Sequence, residues 1–190
     1  MAVANHNSIS GLIRYEGGRK DELGHLEEDL IGNELALKVR GHCPVPSGAA
    51  IVTGSGELQR RGVLAIIHAA AVTGQDGEGF RPVQDMARCF TNALVAVDND
   101  GKRLGESVLF PLLGTGHAHG DVERAVEVFL GSVSSYLVDR PNTAIRDVYL
   151  LAYTDVEFEV CKRVFAKSGL VSPSKKSTRI IARRSPNMKE

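Results

Sequence analysis

The chain has 190 residues, of which 43% are hydrophobic and 24% charged, a composition typical of one soluble globular domain with a buried core. Basic and acidic residues each number 23, so net charge gives no general reason to expect a nucleic acid or membrane partner. No apolar run approaches the ~20 residues of a membrane span. The three cysteines are scattered and form no CxxC pair, which is typical of a reducing compartment. We therefore predict a cytoplasmic domain.

Helical and strand patterns alternate along the chain. Leucines recur at roughly helical spacing over 21–40, and two prolines and two glycines within 41–48 then break the pattern. Short β-branched runs predict strands, and the run at 63–72 is apolar enough to be buried on both faces. The predicted elements are helices at 21–40, 81–97, 120–139 and 155–169, and strands at 49–54, 63–72, 107–114 and 145–154.

This alternation predicts the α/β class, with a parallel-rich sheet covered by helices. Ligands of such sheets bind beyond the carboxyl ends of the strands. Residues 1–169 are predicted to form the domain. Residues 170–190 form a basic tail, of which 178–183 could add an edge strand, and only this tail offers a weak contact for nucleic acid. Cys89 and Cys161 fall on apolar helix faces and are predicted core residues.

The loop after the third predicted strand carries the main functional signal. Residues 110–121 read FPLLGTGHAHGD, with three glycines in seven positions followed by the start of a helix. Glycines let backbone N–H groups approach a ligand, and free N–H groups at a helix N-terminus bind anions. The pattern matches neither a Walker loop nor a dinucleotide fingerprint. Two interpretations remain open, a phosphate site and a tight strand-to-helix turn.

At this point the sequence resembles a known family. FPLLGTGHAHGDVERAVEVFLGSVSSYL resembles the second ligand loop and following helix of macro domains, a family that binds ADP-ribose. SGAAIVTGSGELQRRGVLAIIHAAAV and IRDVYLLAYTDVEFEVCKRVF resemble two further stretches of that family, in the family's order. The resemblance implies a three-layer α/β/α fold with a mixed, mostly parallel central sheet.

The resemblance also implies positions for the ligand. Tyr153 would lie beside the adenine, and Asn7, Gly17 and Gly18 would lie near the distal ribose, the two glycines forming a shortened loop that leads into a helix. We expect no cofactor and no metal, because the loop histidines lack further ligands at a suitable spacing. The residues expected at the diphosphate are Leu113, Gly114, Thr115, Gly116, His117, Ala118, His119 and Gly120.

The N-terminus departs from the family pattern. Macro domains usually begin with two strands, and the chain before Asn5 is too short for them. Three possibilities stay open: the chain is part of a larger polypeptide, the strand at 178–183 fills an edge, or the sheet is reduced. The triple glycine of the family's ribose loop is also missing.

Catalysis is the second functional possibility. GGRKDELGHLEED loosely resembles the poly(ADP-ribose) glycohydrolase branch, in which a glutamate after a glycine loop is the general acid, here Glu28. Alternatively, Glu27, Glu28 and Asp29 form the solvated face of a helix. We predict a module that binds ADP-ribose or an ADP-ribosylated protein. The alternatives are a hydrolase of ADP-ribosyl bonds that uses Asn7 or Glu28, and a ligand-free interaction module.

Overall fold

The computed structural model describes residues 8–75, 79–100, 104–116, 120–169 and 179–184. The helices in these ranges are α1 (Ile9–Gly17), α2 (Leu30–Val39), α3 (Met86–Asn99), α4 (Val122–Asp139) and α5 (Asp155–Lys167). The strands are β1 (Arg19–Lys20), β2 (Leu26–Glu28), β3 (Ala50–Gly54), β4 (Ala65–Ala69), β5 (Val72–Gln75), β6 (Gly79–Pro82), β7 (Ser107–Pro111), β8 (Asp147–Ala152) and β9 (Arg179–Arg184). None of the helices in the described ranges is both long and apolar enough to cross a membrane.

The largest sheet is parallel and has the order β7-β8-β9. The α/β class is confirmed, and the predicted strands at 49–54, 107–114 and 145–154 are present as β3, β7 and β8. β3 and β4 pair antiparallel, because only a short 3₁₀ helix at Gly56–Arg61 joins them and a parallel crossover needs a dozen or more residues. The remaining pairs, β1–β2 and β5–β6, are also antiparallel.

The main core lies between this parallel sheet and helices α3, α4 and α5. Its centre is a group of three aromatic rings, Phe90, Phe110 and Phe129, which pack edge to face with centroids 5.4 to 5.7 Å apart. Cys89 and Cys161 are fully buried, which confirms their prediction as core residues. The core therefore holds β7 and β8 firmly, so the loops at their ends start from a rigid platform.

The predicted helix at 21–40 is wrong in its first half. Residues 19–28 form the β1–β2 hairpin, whose turn at Gly24 has φ +83° and is held by N–H donation from Leu23 and His25 to the Asp21 carboxylate. α2 begins only after Asp29, which caps it by accepting a hydrogen bond from the Gly32 N–H at 2.8 Å. The leucine spacing is compatible with a helix over 21–40, but the hydrogen bonds of Asp21 at the Gly24 turn and the Asp29 cap determine the local structure.

The other boundaries shift by smaller amounts. The strand predicted at 63–72 is β4, which ends at Ala69 and is half-buried along its length rather than buried on both faces. The helix predicted at 81–97 begins at Met86, because residues 79–82 belong to β6. α4 and α5 confirm the helices predicted at 120–139 and 155–169, and the N-cap of α5 is Thr154.

Candidate functional site

The loop that follows β7 and the residues that follow β8 leave the sheet at the same edge. β7 and β8 are parallel, and their register places Pro111 opposite Leu151 at the carboxyl ends. The chain then continues into Leu113–Gly116 on one side and into Tyr153 on the other. The structure therefore brings part of the predicted diphosphate loop beside the predicted adenine residue, at the edge where α/β sheets bind ligands.

Two glycines of the loop are required by close packing. Gly114 has φ +76°, and a Cβ atom there would lie 2.8 Å from Met86 Cε. The Gly120 N–H donates to the Gly114 carbonyl at 3.0 Å, and a Cβ atom at Gly120 would lie 2.6 Å from that same oxygen. Gly114 and Gly120 thus close the loop at its base, where a side chain is disfavoured at Gly114 by the positive φ and at Gly120 by contact with the backbone.

Among the described residues, the loop is open at Thr115 and Gly116. The Thr115 hydroxyl donates to the Leu112 carbonyl at 3.1 Å, which shapes the turn, and Leu113 packs against the core. No described residue accepts a hydrogen bond from the N–H group of Thr115 or Gly116. A Cβ atom at Gly116 would meet no described atom within 4 Å. Free N–H groups in an open glycine turn are the donors that an anion needs.

α4 begins directly after this loop with an acidic cap. The Asp121 carboxylate accepts a hydrogen bond from the Arg124 N–H at 2.6 Å. The N-terminal dipole of α4 favours an anion nearby, whereas the Asp121 charge opposes one. An anion in the loop would therefore depend on the N–H groups of the turn itself more than on the helix end.

Tyr153 is half-exposed at the end of β8, with 51% of its surface accessible. Its backbone N–H and that of Thr154 donate to the Glu157 carboxylate at 2.7 and 2.8 Å. Thr154 and Glu157 form a complete capping box at the start of α5. The backbone of Tyr153 is thereby fixed, and its ring is free to contact a ligand.

Gly17 and Gly18 do not form a loop that leads into a helix, so that prediction is wrong. Gly17 ends α1 and Gly18 caps it, and the chain continues into β1. A Cβ atom at Gly17 would lie 2.3 Å from Ile31 Cδ1, and one at Gly18 would lie 2.2 Å from Leu26 Cδ1. These glycines are present because α1 packs tightly against α2 and the β1–β2 hairpin.

Gly17 is also distant from the loop after β7. It approaches Ser55, just beyond the Gly54 end of the β3–β4 pair, whereas Leu113 packs beside Ala69 at the other end. Four residue steps of β-strand separate these ends, which is about 13 Å. The structure therefore groups Tyr153 with residues 113–116 and 120, and leaves Gly17 outside that group.

The candidate acid Glu28 lies in β2 on the surface. Its carboxylate pairs with Arg19 at 2.6 Å, and 40% of its side chain is exposed. Its position in a strand contradicts the alternative of a solvated helix face, because α2 begins only beyond Asp29. Asn7, His117, Ala118 and His119 lie outside the described residues.

A polar cluster links β3, β4 and α2. Thr53 Oγ1 and His68 Nε2 are 2.9 Å apart, and Glu34 accepts from the Gly54 N–H at 2.9 Å. Burial, followed by the positive charge of Arg14, lowers the pKa of His68 below its ordinary value, against the smaller effects of Glu34 and Asp29. His68 is accordingly neutral at physiological pH and joins the two strands.

Sequence reasoning missed the residues that support the loop. Pro82 and Met86, at the end of β6 and the start of α3, pack against Gly114. Both lie near the start of the helix predicted at 81–97, so no local sequence pattern identified them as neighbours of a loop some 30 residues later.

A separate groove of about 470 Å³ lies between α3 and α4, and none of the predicted site residues lines it. Within the described ranges, no group of three His, Cys, Asp or Glu residues is arranged to hold a metal ion.

Comparison with known proteins defines the class. The family model described as Macro domain matches residues 29–129, more than half of the 190 residues, and the chain belongs to the macro domain family. This confirms the resemblance found in the sequence. The match covers β3, β4, β7 and the first eight residues of α4, the elements that carry the loop.

Among individual relatives, a macro domain-containing protein of Caldanaerobacter subterraneus subsp. tengcongensis is 29% identical over 167 residues, covering 86% of this chain and 85% of the relative. An O-acetyl-ADP-ribose deacetylase of Cronobacter turicensis is 28% identical over 138 residues, covering 73% of this chain and 72% of the relative. These relatives match across the domain and not only across its loop.

Solved structures agree on the fold. The Oceanobacillus iheyensis macrodomain with ADP superposes with a TM-score of 0.58 at 20% identity, covering 85% of this chain and 76% of that one. A mutant of the same macrodomain with ADPR gives a TM-score of 0.59 at 19% identity, covering 85% of this chain and 77% of that one. The likeness is one of fold, and it supports the three-layer α/β/α architecture.

Proposed function

We propose that this macro domain binds ADP-ribose or a related nucleotide diphosphate through the loop at 113–120. The observation that carries the proposal is the open turn at Thr115 and Gly116, whose N–H groups have no acceptor among the described residues. The turn lies at the carboxyl edge of a parallel sheet, and its base is fixed by Gly114 and Gly120. Fixed N–H donors lose little conformational entropy when they bind an anion.

The adenine end of the ligand is assigned to Tyr153. Its ring is half-exposed and its backbone is held by Glu157, so it offers a flat apolar surface at little cost in conformational entropy. Because β7 and β8 are neighbours, this surface adjoins the diphosphate loop. We extend the assignment to His117, Ala118 and His119 by their place in the same loop, and we retain the distal ribose for Asn7 from the resemblance alone.

Calorimetric titration with ADP-ribose tests this proposal. We expect wild-type protein to bind, and Gly116→Glu to lose at least about tenfold in affinity, because it places a carboxylate where the phosphates lie. The site is open and Gly116 does not have a positive φ, so the substitution leaves the fold intact. Gly131→Glu on the exposed face of α4 is the matched control, because a Cβ atom there also meets nothing within 4 Å.

Absence of heat with wild-type protein would overturn the proposal and favour a ligand-free interaction module. Equal affinity of wild type and Gly116→Glu would show that a ligand binds somewhere other than this loop.

Hydrolysis of an ADP-ribosyl bond is the second candidate. It is favoured by the relative that is an O-acetyl-ADP-ribose deacetylase, at 28% identity. Release of free ADP-ribose from a mono-ADP-ribosylated protein would demonstrate it, and loss of release in Asn7→Ala or in Glu28→Ala would identify the residue. The Glu28 carboxylate lies on the surface and is already engaged by Arg19 at 2.6 Å, whereas a general acid must be placed beside the bond that it protonates. Binding is therefore the better-supported function.

A further inference from the structure

The β5–β6 hairpin presents an apolar strip next to the loop. Val72 is 46% exposed and lies at the base of the hairpin, and Phe80 is 37% exposed and lies two residues from the base on the other strand. An exposed aromatic ring on a two-stranded hairpin contributes little to the core. Its position relative to the loop decides whether it has another role.

The register of the hairpin places this strip on one face. Val72 pairs with Pro82, and Gly74 pairs with Phe80. Directly paired residues, and residues two apart along a strand, point to the same face. Val72, Phe80 and Pro82 therefore share a face. Gly74, opposite Phe80, has no side chain to cover the ring.

That face points toward the loop. A Cβ atom at Gly114 would lie 3.3 Å from the Pro82 side chain, and one at Gly120 would lie 3.2 Å from it. Pro82 therefore packs against both glycines that close the base of the loop. Phe80 lies two residues from Pro82, about 7 Å along the same strand, so its ring continues the wall that Pro82 begins.

The loop adjoins both this wall and Tyr153. Tyr153 reaches the loop from β8, which occupies one edge of β7. The hairpin contacts Gly114 and Gly120 of the loop. The residues on either side of the hairpin, Ala71 and Val83, form a small cluster with Leu113 of the loop. A ligand with its base at Tyr153 and its diphosphate in the loop therefore extends toward Phe80.

We propose that Phe80, supported by Val72, is a specificity-determining residue that contacts the group attached to the distal ribose of the bound nucleotide. This inference rests on the proposed function, and it identifies the ligand as an ADP-ribosylated peptide rather than free ADP. The apolar ring packs against the peptide side of the conjugate, where ADP has no atoms. Phe80 discriminates between ligands and takes no part in holding the diphosphate.

Two probes separate these roles, ADP and one synthetic peptide mono-ADP-ribosylated on a single side chain. Phe80→Ser should leave the Kd for ADP within about twofold of wild type and weaken binding of the ADP-ribosylated peptide roughly fivefold. Phe80→Tyr should restore peptide binding because it keeps the ring. Val156→Ser is the control, since Val156 is 76% exposed on α5, a helix that starts beyond Tyr153.

Unchanged binding of ADP also shows that the loop of the variant is correctly folded. The unmodified peptide measures how much of the peptide binding does not depend on the ADP-ribose group. Equal losses for ADP and for the modified peptide, or no loss for either, would overturn the assignment of Phe80 while leaving ADP-ribose binding intact. If wild-type protein binds neither probe, the proposed function itself is wrong.

Discussion

At the scale of single residues, the Thr53–His68 contact joins the two strands that precede the hairpin. Thr53 is 1% exposed, and its hydroxyl lies 2.9 Å from His68 Nε2. Burial and the Arg14 charge lower the pKa of His68, so the folded state disfavours the charged imidazole. Lys38 adds a small effect of the same sign, and Glu34 and Asp29 oppose it.

This pKa shift predicts a pH dependence of stability. The unfolded chain takes up a proton near the ordinary histidine pKa of about 6.5, while folded His68 resists it, so the free energy of unfolding should fall as the pH drops below about 6.5. His68→Gln keeps a polar group near Thr53 and removes the titration. Urea unfolding at several pH values should therefore show a flatter acid limb for His68→Gln than for wild type.

His42→Gln, which replaces an exposed histidine, is the matched control for the loss of an imidazole as such. Parallel acid limbs for wild type and His68→Gln would mean that His68 does not carry this dependence.

The glycines show how far residue-level reasoning reaches. Three glycines within seven positions before a helix are typical of a backbone that passes close to other atoms, and Gly114 and Gly120 do so at the base of the loop. The same residue type at Gly17 and Gly18 serves the packing of α1 against Ile31 and Leu26. Sequence alone does not distinguish close approach to a ligand from close approach to a neighbouring helix.

At the scale of elements, α4 places an acidic cap beside a loop that we propose to hold a diphosphate. The Asp121 carboxylate accepts from the Arg124 N–H and stabilises the helix, but its charge repels phosphate. Asp121 therefore stabilises α4 and is expected to weaken the binding of an anion in the loop.

Replacing Asp121 with Asn keeps an oxygen that can cap the helix and removes the charge. We expect less than about 1 kcal/mol loss of stability and roughly two- to fivefold tighter binding of ADP-ribose at low ionic strength, which shrinks as salt is added. Titrations at low and high salt measure both effects. Asp139→Asn removes the same charge at the other end of α4, and an equal gain there would show that only net charge matters.

Element types were predictable where hydrophobic periodicity was strong, as in α4 and β8. The failure at 21–40 occurred because leucine spacing suits both a helix and a hairpin followed by a helix. The deciding interactions were the Asp21 contacts at the Gly24 turn and the Asp29 cap. The β5–β6 hairpin was missed because Val83 and Met86 fit the spacing of the helix that follows it.

At the scale of the whole molecule, the sheet extends beyond α5. β9 pairs with β8 along six residue positions, and α5 packs against both strands. The strand that ends beside Tyr153, β8, is therefore supported by β9, which lies beyond α5 in the sequence. Its pairing was open in the sequence because 170–190 is rich in Ser, Lys and Arg, a composition shared by tails and edge strands.

Removal of β9 should destabilise the domain. A chain ending at Gly169 exposes the edge of β8, so we expect its thermal midpoint to fall by roughly 5–10 °C and its tendency to aggregate to rise. A chain ending at Arg184 retains the strand and should match the 190-residue chain. Circular dichroism melts of the three chains provide the comparison, and equal midpoints would mean that β9 adds no stability.

The most direct test of the proposed site is the response of backbone amide resonances to ADP-ribose. In a ¹⁵N-labelled sample, we predict the largest shifts at Thr115 and Gly116, whose N–H groups have no acceptor among the described residues, and a further shift at Tyr153. Gly131, in the groove between α3 and α4, should not move. Shifts confined to that groove, or no shifts at saturating ADP-ribose, would contradict a diphosphate site in this loop.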